Sequence, residues 1–130
     1  MPEMVGRALT IDETLILKKL LSISVPGMEI LRQQIPRVIA TVADEYGSLS
    51  FHMNDAPRAT FYDGALVSAT QSDKDTVDDY GPFINVILFV KNGFIDELQI
   101  YKDDGKAGKT KIDPDSFNLL LDRRLVRKGK

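Results

Sequence analysis

With 130 residues, 43% hydrophobic and 28% charged, and a formal net charge of −2, the chain has the composition of a folded domain that buries about two-thirds of its unfolded surface. The absence of cysteine excludes a disulfide framework, a thiolate zinc site and a cysteine nucleophile. No apolar run approaches the ~20 residues of a membrane-spanning helix, and residues 1–7 lack the apolar core of a secretory signal. The expectation is a cytoplasmic single domain over 1–130, with flexible ends at 1–8 and 123–130.

Thr10-Ile-Asp-Glu13 is a capping box, in which the Thr10 hydroxyl accepts the Glu13 amide and the Glu13 carboxylate reaches back. It predicts a first helix from Ile11 to Ser22, with Ile16, Leu17, Leu20 and Leu21 at helical spacing. Ser24-Val-Pro-Gly27 breaks that helix, a shorter one covers Met28 to Gln34, and Pro36 ends it. The period then changes from 3.6 to 2. Val38–Val42 and Ser48–Met53 read as strands around an Asp44–Gly47 turn, and Ala59–Tyr62 and Ala65–Thr70 as two more around Asp63-Gly64. Gln71–Gly81 is polar and acidic and reads as a long surface loop.

The strongest local signal is the hairpin Ile84–Tyr101, two β-rich runs around Lys91-Asn92-Gly93. A two-residue turn alone sets Leu88 opposite Glu97 and Phe89 opposite Asp96. A three-residue loop with a bulge pairs Val90 with Phe94 and puts Ile84, Val86, Leu88 and Val90 on one face with Phe94, Leu98 and Ile100. Register follows the buried face, which favours the bulged loop. Val86–Val90, apolar throughout, reads as a central strand covered on both sides. Beyond it, Lys102–Thr110 is a polar Gly-rich turn region, and Asp113-Pro-Asp-Ser116 reads as a helix start leading into Phe117, Leu120 and Leu121. The fold class is α+β: N-terminal helices packed on a mostly antiparallel sheet of about four to six strands, with a short C-terminal helix.

Motifs for catalysis or cofactors fail on spacing. Gly105 and Gly108-Lys109-Thr110 are too close together for a phosphate-binding loop. Residues from Asp73 onward carry Val77, Asp78 and Ile84 where a calcium loop needs an oxygen ligand, glycine and glutamate. His52, the single histidine, lies on the polar face of its strand with no nucleophile or orienting carboxylate indicated by spacing. No cofactor or metal is expected, and the chain reads as a non-enzyme. The basic tail lacks the interleaved aromatics of a nucleic-acid surface.

Charge is unevenly distributed. Asp44–Asp79 holds eight acids (Asp44, Glu45, Asp55, Asp63, Asp73, Asp75, Asp78, Asp79) against two bases, whereas Lys102–Lys130 holds nine bases against five acids. This asymmetry points to an acidic partner-facing side, with solvated loops and a basic tail as the plainer alternative.

The run Phe83–Val90, then Asn92-Gly93, then Ile95–Gly105 resembles the C-terminal half of small bacterial immunity-type proteins encoded beside polymorphic or contact-dependent growth-inhibition toxins. The Leu9–Gly27 helix and the Gly47–Phe51 strand are similar to their first half. The resemblance spans about Leu9 to Leu121, rests on turns and strands, and defines no catalytic residue. It implies binding to a cognate toxin protein, commonly a nuclease, with neither nucleic acid nor membrane as partner. An acidic patch suits a nuclease's basic groove. Asp44, Glu45, Asp73, Asp75, Asp78 and Asp79 are therefore the candidate steering charges, and Tyr46, Tyr80 and Phe83 the candidate anchors. An adaptor or regulatory domain with another partner, or a small enzyme, are the alternatives.

Overall fold

A six-stranded antiparallel sheet, in spatial order β1-β2-β5-β4-β3-β6, carries the fold, with two N-terminal helices on one of its faces. The computed structural model describes residues 6–44, 46–72, 83–102 and 112–127. The elements are α1 (Ile11–Leu20), α2 (Met28–Gln34), β1 (Ile39–Val42), β2 (Leu49–His52), β3 (Gly64–Ser72), β4 (Phe83–Lys91), β5 (Phe94–Lys102) and β6 (Asn118–Leu121). The α+β class expected from sequence is the one observed. Among the described residues no helix is long and apolar enough to cross a membrane.

The capping box forms as expected: the Glu13 amide donates to Thr10 Oγ1 at 3.1 Å and the Thr10 amide to Glu13 Oε1 at 2.9 Å. Arg7 adds a two-pronged ion pair, 2.8 Å to each Glu13 oxygen. These hydrogen bonds, that to Arg7 foremost, hold the Glu13 carboxyl below its usual range. Helix α1 ends at Leu20, and Ile16, Leu17 and Leu20 turn inward while Ile11 and Leu15 stay exposed. Helix α2 buries Met28 and Leu31 and ends at Gln34, where the 3₁₀ turn Ile35–Arg37 takes over. The helices lie over β3 and β5.

The sheet face beneath them is apolar. It comprises Ile84, Val86, Leu88 and Val90 of β4, Ile95, Leu98 and Ile100 of β5, Val67 and Ala69 of β3, and Leu49 and Phe51 of β2, all buried. Each of the larger of these side chains contributes on the order of 2 kcal/mol by leaving water. The opposite face bears Ser50, His52, Glu97, Gln99, Asn85, Ile87, Phe89, Ser68 and Leu120. Ile87 and Phe89 are only half-buried there, so β4 is central but, among the described residues, is covered by helices on one side alone, which corrects the expectation of two covered faces.

The hairpin tip differs in mechanism from the expected bulged loop. Asn92 and Gly93 alone form the turn, both at positive φ (55° and 83°), as a type I′ turn requires, and Lys91 pairs with Phe94. The extra residue sits one step further on, where Asp96 is left unmatched between the Val90–Ile95 and Phe89–Glu97 pairs. This bulge rather than the loop aligns the apolar faces. Leu88 now meets Leu98 and Val86 meets Ile100, and Ile95 takes the inward place expected of Phe94.

Two other expectations change. Residues 59–62 form no strand; they run in irregular extended backbone, with Ala59 and Phe61 buried and Thr60 and Tyr62 exposed. The helix start at Asp113 is realised as one 3₁₀ turn, Pro114–Ser116, whose first amide the Asp113 carboxylate caps. The chain then extends into β6 beside β3, because alternating Leu119 and Leu121 suit a sheet face better than a helix stripe. Stretches assigned to the chain's ends also carry contacts. Arg7 exchanges backbone hydrogen bonds with Ala40 on the outer side of β1, and Leu125 accepts the Tyr62 amide.

Candidate functional site

Strand β5 runs the length of the sheet, and the candidate residues gather near its two ends. At its C-terminal end, the β1–β2 turn is built by Asp44, whose Oδ1 accepts the amides of Tyr46 (2.9 Å) and Ser48 (3.1 Å). The buried Ser48 hydroxyl accepts the Ile100 amide at 2.8 Å and donates to the Ile100 carbonyl. Tyr46 is half-buried and packs against the core. Phe83 opens β4 opposite Ser72, and Ile84 pairs with Lys102, at this same end. Of the residues singled out by sequence, the structure therefore brings Asp44, Tyr46 and Phe83 to one end of the sheet. Glu45, Asp73, Asp75, Asp78, Asp79 and Tyr80 lie outside the described residues.

The N-terminal end of β5 is the hairpin tip, and the sequence reading overlooked it. Residues 54–63 are laid across the tip and tied there at several points. The Ala59 amide donates to the Gly93 carbonyl at 2.9 Å, and the Asn92 amide to Asp63 Oδ1 at 2.9 Å. Gln34, fully buried at the end of α2, donates from Nε2 to the Pro57 and Gly93 carbonyls (2.7 and 2.9 Å) and accepts the Ile95 amide at 2.9 Å. Its two amide hydrogens and its carbonyl oxygen are all engaged by the loop and the hairpin. Gly93 is required for a second reason besides φ: a Cβ there would fall 2.3 Å from the Ala59 carbonyl oxygen.

The loop and tip enclose an open cavity of about 690 Å³ lined by Arg58, Thr60, Tyr62, Asp63, Asn92 and Arg127, among others. The Arg127 guanidinium lies 4.3 Å from the Tyr62 ring centroid, and that of Arg58 lies 5.6 Å from Phe94. A shallower hollow on the far side of Arg58 includes His52, Lys91 and Asp96. His52 is exposed on the strand. Among the described residues no three His, Cys, Asp or Glu side chains come together as a metal site. The available signals for the tip were weak: Arg58 is one of two bases in the acidic third of the sequence, and Asn92-Gly93 announced a turn but not what crosses it.

The sequence profile of a domain of unknown function (DUF6984) matches residues 6–110. That span takes in both ends of the sheet but stops short of β6 and Arg127. The chain belongs to that family. No curated protein and no solved structure matches it.

Proposed function

We propose that this member of the DUF6984 family is a non-catalytic, cytoplasmic immunity protein that binds and neutralises a cognate bacterial toxin, a nuclease, through an acidic surface at the C-terminal end of β5. The observation that carries this reading is topological. The Asp44–Ser48 turn, the Ser72–Phe83 pair and the Ile84–Lys102 pair all lie at that end. Asp44 and the strand ends that flank residues 73–82 in the sequence thus share one end of one sheet. Negative charge there would suit a basic substrate groove and speed encounter with it. Tyr46 and Phe83 supply aromatic area at that end, of the kind that dominates binding energy, and Tyr80 is the third candidate anchor from the sequence.

The test is co-expression with the toxin domain encoded next to this gene, scored by rescue of growth, followed by association kinetics. Reversing charge at both Asp78 and Asp79 to lysine is expected to slow association about tenfold at low salt and to flatten its salt dependence. Lack of rescue overturns the immunity reading. Rescue with an unchanged association rate removes the role given to the acidic end.

A further inference from the structure

We propose that the cavity at the hairpin tip binds a small phosphorylated molecule, with the guanidinium groups of Arg58 and Arg127 on its phosphoryl oxygens. The site lies at the opposite end of β5 from the acidic surface and is independent of the function proposed there.

Four observations converge. A volume of about 690 Å³ falls within the ~300–1,000 Å³ usual for small-molecule sites. The Arg127 guanidinium lies over the Tyr62 ring of the cavity wall, Arg58, which lines both this cavity and the neighbouring hollow, lies 5.6 Å from the Phe94 ring centroid, and among the described residues neither has a carboxylate partner. A guanidinium held by its flat face keeps its edge N–H groups free in a fork that matches phosphate geometry, and it loses less freedom on binding than an unsupported side chain. The Thr60 hydroxyl on the same wall adds a neutral donor. Two forks and a further donor exceed what a carboxylate's two oxygens need and suit a phosphoryl group.

The lining also includes one carboxylate, Asp63, against the two arginines, so its formal charge is positive. One Asp63 oxygen already accepts the Asn92 amide, which places the acid as a support of the turn.

The experiment is calorimetric titration of the full chain with inorganic pyrophosphate, ADP and acetate. Saturable binding of pyrophosphate and ADP is expected, with acetate at least tenfold weaker. Arg58→Gln and Arg127→Gln should each weaken pyrophosphate about tenfold or more. Both side chains are exposed, so folding should be unaffected, as thermal unfolding will register. Asp63→Asn keeps an acceptor for the Asn92 amide and should tighten binding by removing a like charge. Arg123→Gln, an exposed arginine outside the cavity, should leave it unchanged. No saturation in the millimolar range, acetate binding as well as pyrophosphate, or an equal loss in Arg123→Gln would each overturn the proposal.

Discussion

At each end of β5 a buried side chain takes backbone groups that the sheet leaves over. Strand β2 pairs with β5 only at Leu49–Leu98 and Ser50–Glu97, so most of the longer strand runs past it. Beyond one end of that short ladder, Ser48 bonds both backbone groups of Ile100; beyond the other, Gln34 accepts the Ile95 amide. The reach of the two residues differs. Ser48 belongs to the turn just before β2 and serves one partner. Gln34 comes from a helix and joins three segments that are distant in sequence: α2, the 54–63 loop and the hairpin. A local device and a tertiary clamp thus solve the same hydrogen-bonding problem, and only the clamp holds a cavity wall in place.

The comparison is broken or sharpened by removing each device in turn. The largest effect is expected for Gln34→Leu, which keeps the side-chain bulk but strips the Ile95 amide and the Pro57 carbonyl of their partner. A loss of about 3 kcal/mol in urea unfolding is expected, because buried groups left unsatisfied cost more than the bond itself contributes. Ser48→Ala is expected to cost about 1.5 kcal/mol by the same measurement. Equal losses in the two variants would dissolve the distinction between them.

The smallest effect belongs to a pair at neither end, Arg7–Glu13, which sets the surface baseline. The Glu13 carboxyl is held below its usual range. Its stabilisation is therefore present above the unfolded-state value and is lost as pH falls through the lower folded-state value. Because both partners are accessible to solvent, the amount is under about 1 kcal/mol. Stability measured at about pH 6 and about pH 3 should fall less in Arg7→Gln than in the parent, and a parallel fall would show that Arg7 is not the cause.

The same contrast explains what the sequence made legible. Short-range chemistry was readable: the Thr10–Glu13 box, the bounds of α2, the Asp44–Gly47 turn, and the inward stripe Ile84, Val86, Leu88 and Val90 all follow from spacing within a few residues. Features decided by distant partners were not. The alternation Ala59-in, Thr60-out, Phe61-in looks like a strand, yet these residues lie across the hairpin tip and are tied there through Ala59 to Gly93. The bulge at Asp96 could not be told from a longer turn, since both align apolar faces. Asp113-Pro-Asp reads as a helix start in isolation, and only the free edge of β3 draws the following leucines into β6. At the candidate sites, Asp44, Tyr46 and Phe83 are singled out by charge and residue type, and the structure brings them to one end of the sheet. That Arg58 and Arg127 line one cavity was not legible, because the two are brought together only through the fold.

The Arg7–Ala40 bridge has a further consequence, for how this chain behaves among copies of itself. An open strand edge is a template on which another molecule's backbone can add. On one side of the sheet, the incoming chain already occupies the outward amide and carbonyl of Ala40, at 2.7 and 2.9 Å. On the other side the outermost strand is four residues long and runs into the Asp122–Arg124 ion pair. The sheet is thus capped by its own N-terminal segment at one margin and cut short beside charge at the other, which guards a chain with an exposed Leu120 against growing into fibres at high concentration.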